Sequence, residues 1–447
     1  MESEILIEKM EFPNKGIGYY NGEKVAVPFA LPGQRVLVRL KKKRRAYIGI
    51  LLKLLEPGPA ETDPQCRYFG SCGGCAYRSL PYEEELSIKE NMVMDILAAE
   101  GIDGFTYEGI VSAPGLEGYR NKMEFSFGDE VKDGPLALGI RKRNSRYEVA
   151  DAGYCGIIDG DYRRILTETL NFFRKSGEPY YRKISHEGVL RHLVIRKGFF
   201  TGEILVNLVT TSGLKTDLEP FAEIIESLSL EGRLTGLLHT VNDSPSDTVK
   251  ADKLRILRGR DYFMERIHGL DFKISAFSFF QTNSSGAERL YQTVLDFAEE
   301  AGVETVWDLY CGTGTIAQLM AKKAGNVVGI ELVEEAAEAA AENARLNGLS
   351  NCSFIAGDVL KIIDQVSSKP DLIILDPPRE GAHPKALDKI IGFGAENIIY
   401  VSCKPTSLAR DLKEFITRGY EIKRLKCHDM FPRTYHVETC VLLRRLI

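Results

Sequence analysis

Cys66, Cys72 and Cys75, in the stretch Cys66-Arg67-Tyr68-Phe69-Gly70-Ser71-Cys72-Gly73-Gly74-Cys75, are the densest chemical signal in this sequence. Thiols that close together bind metal, and the glycines between them free backbone N–H groups to point at sulfur, a property suited to iron–sulfur clusters. A fourth ligand is needed, and Cys155 in Gly153-Tyr154-Cys155-Gly156 is the best candidate outside the C-terminal region. Spacing alone does not separate a cluster from zinc held by four thiolates. A different cysteine, Cys403, follows the apolar run Ile398–Ser402 and precedes Lys404-Pro405. A thiol beside a positive charge can be acidified into a nucleophile, whereas the plainer reading is a small apolar core residue. Glu438 opens an otherwise apolar segment, Glu438–Arg445, as a candidate base or as half of a surface ion pair. Cys311, Cys352, Cys427 and Cys440 have no comparable setting and read as structural.

A third constellation is Asp308-Leu309-Tyr310-Cys311-Gly312-Thr313-Gly314. Glycines where a strand turns into a helix let backbone approach a ligand closely, and Glu331, 19 residues beyond Gly312, is placed to bind ribose hydroxyls. Gly312, Gly314 and Ala317 also mimic a dinucleotide fingerprint, so a nicotinamide cofactor and S-adenosylmethionine both fit the glycines. Asp308 before the loop and Asp376-Pro377-Pro378-Arg379 after a later strand favour the methyl donor, because a proline-stiffened strand end makes a rim for a planar base.

The elements around these residues predict three regions. Residues 1–58 read as a small OB-like β-barrel, with strands at Val25–Phe29, Arg35–Leu40 and Tyr47–Leu52 and turns or bulges at Gly16 and Gly18. From Lys24 to Lys53 there are nine basic residues and no carboxylate, including Lys41-Lys42-Lys43-Arg44-Arg45, either a nucleic-acid surface or a solvated hairpin tip. Residues 59–265 read as a central α/β domain carrying the metal-cluster cysteines, a helix at Asp161–Lys175 and a strand pair, Leu190–Lys197 and Ile204–Thr211. Its further basic clusters, Arg141-Lys142-Arg143 with Arg146 and Arg182-Lys183 with Arg191 and Arg196, are expected to face a polyanion. Residues 266–447 alternate strand and helix as a Rossmann-like doubly wound sheet, so the whole is multidomain, α+β and α/β. Its ligand should lie beyond the carboxyl ends of the strands.

Composition narrows the class. At 447 residues, 44% apolar and 27% charged, the chain exceeds one core and is not disordered. The net charge of −5 argues against a basic coat, though not against a local basic surface. Met1-Glu2-Ser3-Glu4 does not read as a signal peptide and no apolar run is long enough to span a bilayer, so a cytoplasmic, reducing setting is expected.

Taken together these motifs resemble the bacterial RNA uracil-C5 methyltransferases of the iron–sulfur-containing 23S ribosomal RNA group, over nearly the whole chain. The resemblance implies a TRAM domain at the N-terminus, a class I methyltransferase domain at the C-terminus, and a 4Fe–4S cluster on Cys66, Cys72, Cys75 and Cys155. Ser278-Phe279-Phe280-Gln281-Thr282-Asn283 is similar to the cofactor-side segment, and Gln281, Tyr310, Gly312, Gly314, Thr315, Glu331, Asp358 and Asp376 fall at S-adenosylmethionine-binding positions. Ser402-Cys403-Lys404-Pro405 matches the nucleophile motif, and Asp429-Met430-Phe431-Pro432 through Glu438 matches the segment carrying the proton acceptor. The implied partner is RNA, with 23S ribosomal RNA favoured over transfer RNA and a monomer expected. Lys404 departs from the family's usual asparagine, and a cation there is expected either to acidify the thiol or to turn to an RNA phosphate. The competing readings are a non-catalytic iron–sulfur RNA-binding or redox-sensing protein and an NAD-dependent oxidoreductase with a zinc site.

Overall fold

The computed structural model describes residues 1–44, 46–143, 145, 147–246, 251–362 and 369–446, so Arg45 and Arg146 of the basic clusters lie outside the described residues. Six strands between Glu2 and Glu56 form the N-terminal sheet. In Arg35–Lys43, Val36, Val38 and Leu40 alternate inward onto Ile5, Ile7, Val25, Val27 and Ala30, while the basic end of the strand stays exposed. Gly16 and Gly18 are not turns; both lie inside the strand Lys15–Tyr20. A Cβ at Gly18 would sit 2.3 Å from the Leu6 carbonyl oxygen, so close backbone approach explains the glycine.

The central sheet has seven strands, in the order Val149–Asp151, Leu136–Arg141, Lys122–Asp129, Leu190–Lys197, Glu203–Thr210, Arg233–Val241 and Lys253–Gly259. The helices Gly160–Ser176 and Glu219–Glu226 cover one face through Tyr162, Ile165, Phe173 and Phe221.

The C-terminal sheet has eight strands in the order Cys352–Ala356, Asn326–Glu331, Thr305–Leu309, Leu372–Leu375, Asn397–Ser402, Glu438–Arg445, Tyr420–His428 and Thr106–Val111. The first five are parallel, and Glu438–Arg445 runs antiparallel between two neighbours. Ser284–Ala301 and Thr315–Ala321 pack on one face, and Tyr82–Ala99, Pro384–Phe393 and Pro405–Thr417 on the other, giving the expected double winding. Strand order reverses between Thr305–Leu309 and Leu372–Leu375, which opens the ligand crevice at their carboxyl ends.

Chain order does not partition this architecture as a sequence reading does. Tyr82–Ala99 and Thr106–Val111 lie inside the expected central domain, yet the helix packs on the C-terminal sheet and Thr106–Val111 joins it, pairing in parallel with Tyr420–His428. The boundary expected after residue 265 also cuts the hairpin Tyr262–Ile267 and Leu270–Ser275, in which Glu265 faces Phe272.

Candidate active site

The glycine loop closes over the ends of two parallel strands. Tyr310 adopts φ 66° and both it and Cys311 donate their N–H groups to the Ile330 carbonyl, at 2.9 and 3.1 Å. Gly312 donates to one Glu331 carboxylate oxygen at 2.9 Å, and Val333 to the other at the same distance. Gly314, at φ 74°, starts the helix at Thr315, and a Cβ on it would meet the Phe354 ring at 2.6 Å. Open space lies above Gly312, and the apolar side chains of Leu332 and Val333 stand exposed beside Glu331. Asp308 is buried with one carboxylate oxygen on the Ala317 N–H at 2.9 Å and the other without a partner among the described residues. Burial, then Asp376, pushes its carboxyl well above the usual range. This cradle fits a nucleoside with an attached polar tail: a glycine floor, a carboxylate at the end of the neighbouring strand and an apolar flank.

Gln281 is held from several sides. Asn121 donates to its carbonyl at 3.0 Å and to Thr282 through backbone at 2.9 Å, Arg196 donates to the Ser278 carbonyl, and Asn283 donates to the Met430 carbonyl at 2.6 Å. Its side chain acts on the Tyr291 hydroxyl, which burial pushes up and which also feels Asp376, Asp308 and Glu438. The cofactor loop and the acid–thiol pair therefore meet around one tyrosine. Asp358 caps its own turn through the Leu360 N–H at 3.0 Å and, with burial as the larger cause, raises Tyr310 to about 12.

Cys403 and Glu438 are neighbours by register. Ser402 pairs with Thr439 across the antiparallel ladder, so the next position sets Cys403 opposite Glu438. Burial, then Glu438 and Asp376, pushes the Cys403 thiol up to about 11, with Arg379 opposing. Glu438 is pushed up to about 8 by burial and then Asp376, again against Arg379, and Asp376 to about 7 by burial. Lys404 does not supply the expected cation: its ammonium pairs with Glu380 at 3.1 and 3.2 Å. Arg379, which in sequence is no more than part of the rim, is the positive charge acting on both groups.

The loop before Glu438 is anchored by a network the sequence did not reveal. Lys89, fully buried, binds Glu85 and Asp429 at 2.7 Å each. Tyr82 donates to Asp429 at 2.8 Å, and the Arg433 N–H donates to Glu85 at 2.6 Å. Lys89 and Asp429 are separated by most of the chain, so no local pattern could have paired them.

Cys66, Cys72, Cys75 and Cys155 line one cavity with Arg78 and Tyr154. The Gly74 N–H points at the Cys72 sulfur at 3.3 Å. Burial and the neighbouring thiols push Cys75 to about 12, and burial, with Cys72 and Cys66 adding, pushes Cys155 to about 11. Among the described residues, no three or more His, Cys, Asp or Glu side chains are grouped as a metal ion would need. The cavity touches the catalytic half, because Ala76 and Tyr77 donate N–H groups to the Arg433 carbonyl.

Most cations of the central basic clusters are engaged within the fold. Arg191 donates to the Asn242, Ser244 and Ser246 carbonyls, Arg143 donates to the Cys75 carbonyl and stacks on Phe29 at 3.9 Å, and Arg182 pairs with Asp133 at 3.4 Å. The hairpin cations Lys41, Lys43 and Arg44 are exposed.

Residues 247–446 match the family described as tRNA (Uracil-5-)-methyltransferase, and residues 2–48 match the TRAM domain. An RNA methyltransferase of Clostridium tetani is 51% identical over 99% of this chain and 98% of its own. One from Chlorobaculum tepidum is 37% identical over 93% and 90%. Among solved structures, the Pyrococcus abyssi tRNA (uracil-54, C5)-methyltransferase in complex with S-adenosyl-L-homocysteine superimposes with a TM-score of 0.78 at 29% identity, covering 99% of this chain and all of that one. A full-length match of this kind, on a chain whose glycine loop, thiol and buried carboxylates share one crevice, places the protein in the RNA uracil-5-methyltransferase family, with an N-terminal TRAM domain.

Proposed function

We propose that the protein methylates C5 of a specific uridine in 23S ribosomal RNA through a covalent adduct on Cys403, with Glu438 as the proton acceptor. The observation that carries this reading is the register that sets Cys403 opposite Glu438 at the mouth of the crevice, beside Asp376 and Arg379. Uracil C5 is a weak nucleophile. Addition of the Cys403 thiolate to C6 converts the ring to an enolate with carbanion character at C5. S-adenosylmethionine, cradled by Gln281, Tyr310, Gly312, Gly314, Thr315, Glu331, Asp358 and Asp376, supplies an electrophilic methyl group. Glu438 then takes the C5 proton, the C5–C6 double bond re-forms, and the C6–sulfur bond breaks to return the thiolate. With Glu438 pushed up to about 8, its ionised fraction at neutral pH is the form that takes the proton, and it is more basic than an ordinary carboxylate. Attack on C6 is perpendicular to the ring, so the uridine must be unstacked in a loop or flipped out.

The four cysteines around one cavity support a 4Fe–4S cluster with Cys66, Cys72, Cys75 and Cys155 as ligands, zinc being the alternative. Anaerobic purification with a visible spectrum and metal analysis separates the two: broad absorption with iron supports the cluster, and a colourless zinc protein rejects it. Among the described residues no helix is long and apolar enough to cross a membrane, consistent with work on RNA in the cytoplasm.

Transfer RNA is the second reading, favoured by the full-length likeness to the tRNA uracil-54 enzyme. Mapping 5-methyluridine in both RNAs with and without the protein decides between them. Cys403→Ala is expected to abolish methyl transfer while RNA binding persists; retained turnover would remove the covalent route.

A further inference from the structure

One pair of cations in the central sheet is placed against ordinary strand-pairing preference. Lys122 and Arg196 lie directly opposite each other on the antiparallel strands Lys122–Asp129 and Leu190–Lys197. Like charges in that position repel, and a fold keeps them together only if something offsets the repulsion. Among the described residues no carboxylate pairs with them. Lys122 has no hydrogen-bond or ion-pair partner among the described residues, and Glu124, the carboxylate that favours its charge, lies 3.6 Å from the His192 ring. Burial, then Arg196, pushes the Lys122 amine down to about 8, with Glu124 opposing and Arg120 adding. Arg196 is 3% exposed; it donates to the Ser278 carbonyl, while its Nε has no partner among the described residues. The Nε of Arg120 is likewise buried without a partner, and its guanidinium sits 5.7 Å from the Phe431 ring centre.

The surroundings give this cluster an address. Ser278 leads into Gln281 of the cofactor side, and Phe431 belongs to the loop that delivers Glu438. Lys122 and Arg196 on the seven-stranded sheet, with Arg120 just ahead of its strand Lys122–Asp129, are therefore set against the two segments that build the crevice. We propose that Lys122, with Arg196 and Arg120, forms an anion site that takes an RNA backbone phosphate next to the target uridine, an inference that rests on the uridine reaching Cys403. A phosphate diester suits three cations better than the tail of S-adenosylmethionine, whose ammonium would add a fourth positive charge. Fixing the backbone at this point sets the register of the strand, so that one base faces the thiol.

Lys122→Met keeps the side-chain stem and removes the charge; Lys122→Arg keeps the charge. Affinity for a 23S ribosomal RNA transcript is measured against salt, alongside affinity for S-adenosylmethionine and the thermal midpoint. With one phosphate no longer neutralised, Lys122→Met should show a log–log salt slope shallower by about 0.7, so the affinity gap to the unmodified protein closes about threefold between about 50 and about 200 mM salt. Lys122→Arg should restore the slope. The thermal midpoint of Lys122→Met should hold or rise, because the repulsion with Arg196 is gone. An unchanged slope with a lowered midpoint makes Lys122 structural and overturns the site. Weakened S-adenosylmethionine with unchanged RNA binding assigns the anion to the cofactor and overturns it equally. Methyl transfer on the same transcript is scored separately: a protein that binds with a Lys122-dependent slope yet never methylates uridine refutes the proposed reaction and leaves the phosphate site standing.

Discussion

Glu438→Gln tests the proposed base, its burial and its neighbour in one variant. The carboxyl titrates near 8 in the fold against an ordinary value of 4.5, because it is buried and faces Asp376. The folded state thus holds its proton more tightly than the unfolded chain does. Its contribution is neutral below pH 4.5, and stability is lost as pH rises from there through about 8. Each pH step in that window costs about 1.4 kcal/mol, so the full penalty above pH 8 approaches about 5 kcal/mol. An amide of the same shape carries no such penalty. Glu438→Gln should therefore match the parent protein near pH 4.5 in denaturant unfolding and exceed it by a few kcal/mol near pH 8.5, less the cost of burying the amide. Turnover should fall by about 100-fold to 10,000-fold, the usual worth of a positioned base. The adduct, methylated at C5 but unable to eliminate, should persist as a slow-migrating protein–RNA band under denaturing electrophoresis. Equal stability gains at both pH values would show that Glu438 is not a buried carboxyl held near 8. A variant without the adduct band would show that the C5 proton leaves by another route.

Lys89→Met leaves Glu85 and Asp429 buried without their shared cation, and losing one partner of such a network costs about 3–5 kcal/mol. Chemical denaturation reads that loss; a change under 1 kcal/mol (roughly that of an exposed ion pair) would mean the network is solvated in solution. Neutralising Lys41, Lys43 and Arg44 on the exposed hairpin should weaken RNA binding and flatten its salt dependence, by about 0.7 in log–log slope for each phosphate the hairpin no longer neutralises. Unchanged filter-binding curves would make the hairpin a bystander.

The C-terminal elements were legible because their patterns are local. Glu334–Leu346, Leu372–Leu375 and Glu438–Arg445 stand where their apolar periodicity and flanking glycines or prolines place them. The glycine loop was equally legible, since a backbone that must approach a ligand selects glycine at the point of approach. What escaped depends on contacts distant in sequence. Thr106–Val111 carries no sign that its partner is Tyr420–His428, because β pairing is specified by a surface that exists only after folding. Lys404 looked like an activating charge because its sequence neighbour is Cys403, yet side-chain reach takes its ammonium to Glu380. The central basic runs looked like an RNA surface for the same reason: composition counts charges but does not show that Arg191 is capped by three carbonyls. Lys122, spaced from Arg120 by Asn121 and followed by Met123 and Glu124, forms no basic run, and only strand pairing brings Arg196 to it.

The strand direction of Glu438–Arg445 explains why Cys403 and Glu438 come together. In a wholly parallel sheet, every strand brings its last residue to the ligand crevice, so Cys403 after Asn397–Ser402 arrives there directly. A base on the next strand would arrive there only from that strand's end if it too were parallel. Running antiparallel, Glu438–Arg445 instead presents its first residue, and the loop from Asp429 to Val437 becomes part of the crevice wall. That loop is fixed at Asp429 by Lys89 and at Arg433 by Glu85, both contacts reaching the helix Tyr82–Ala99. The same Arg433 carbonyl accepts from Ala76 and Tyr77, directly after Cys75. Position of Glu438 is therefore coupled to the cysteine cavity through two peptide hydrogen bonds and one buried ion network, so disturbing the cavity should displace Glu438 before it disturbs the glycine loop.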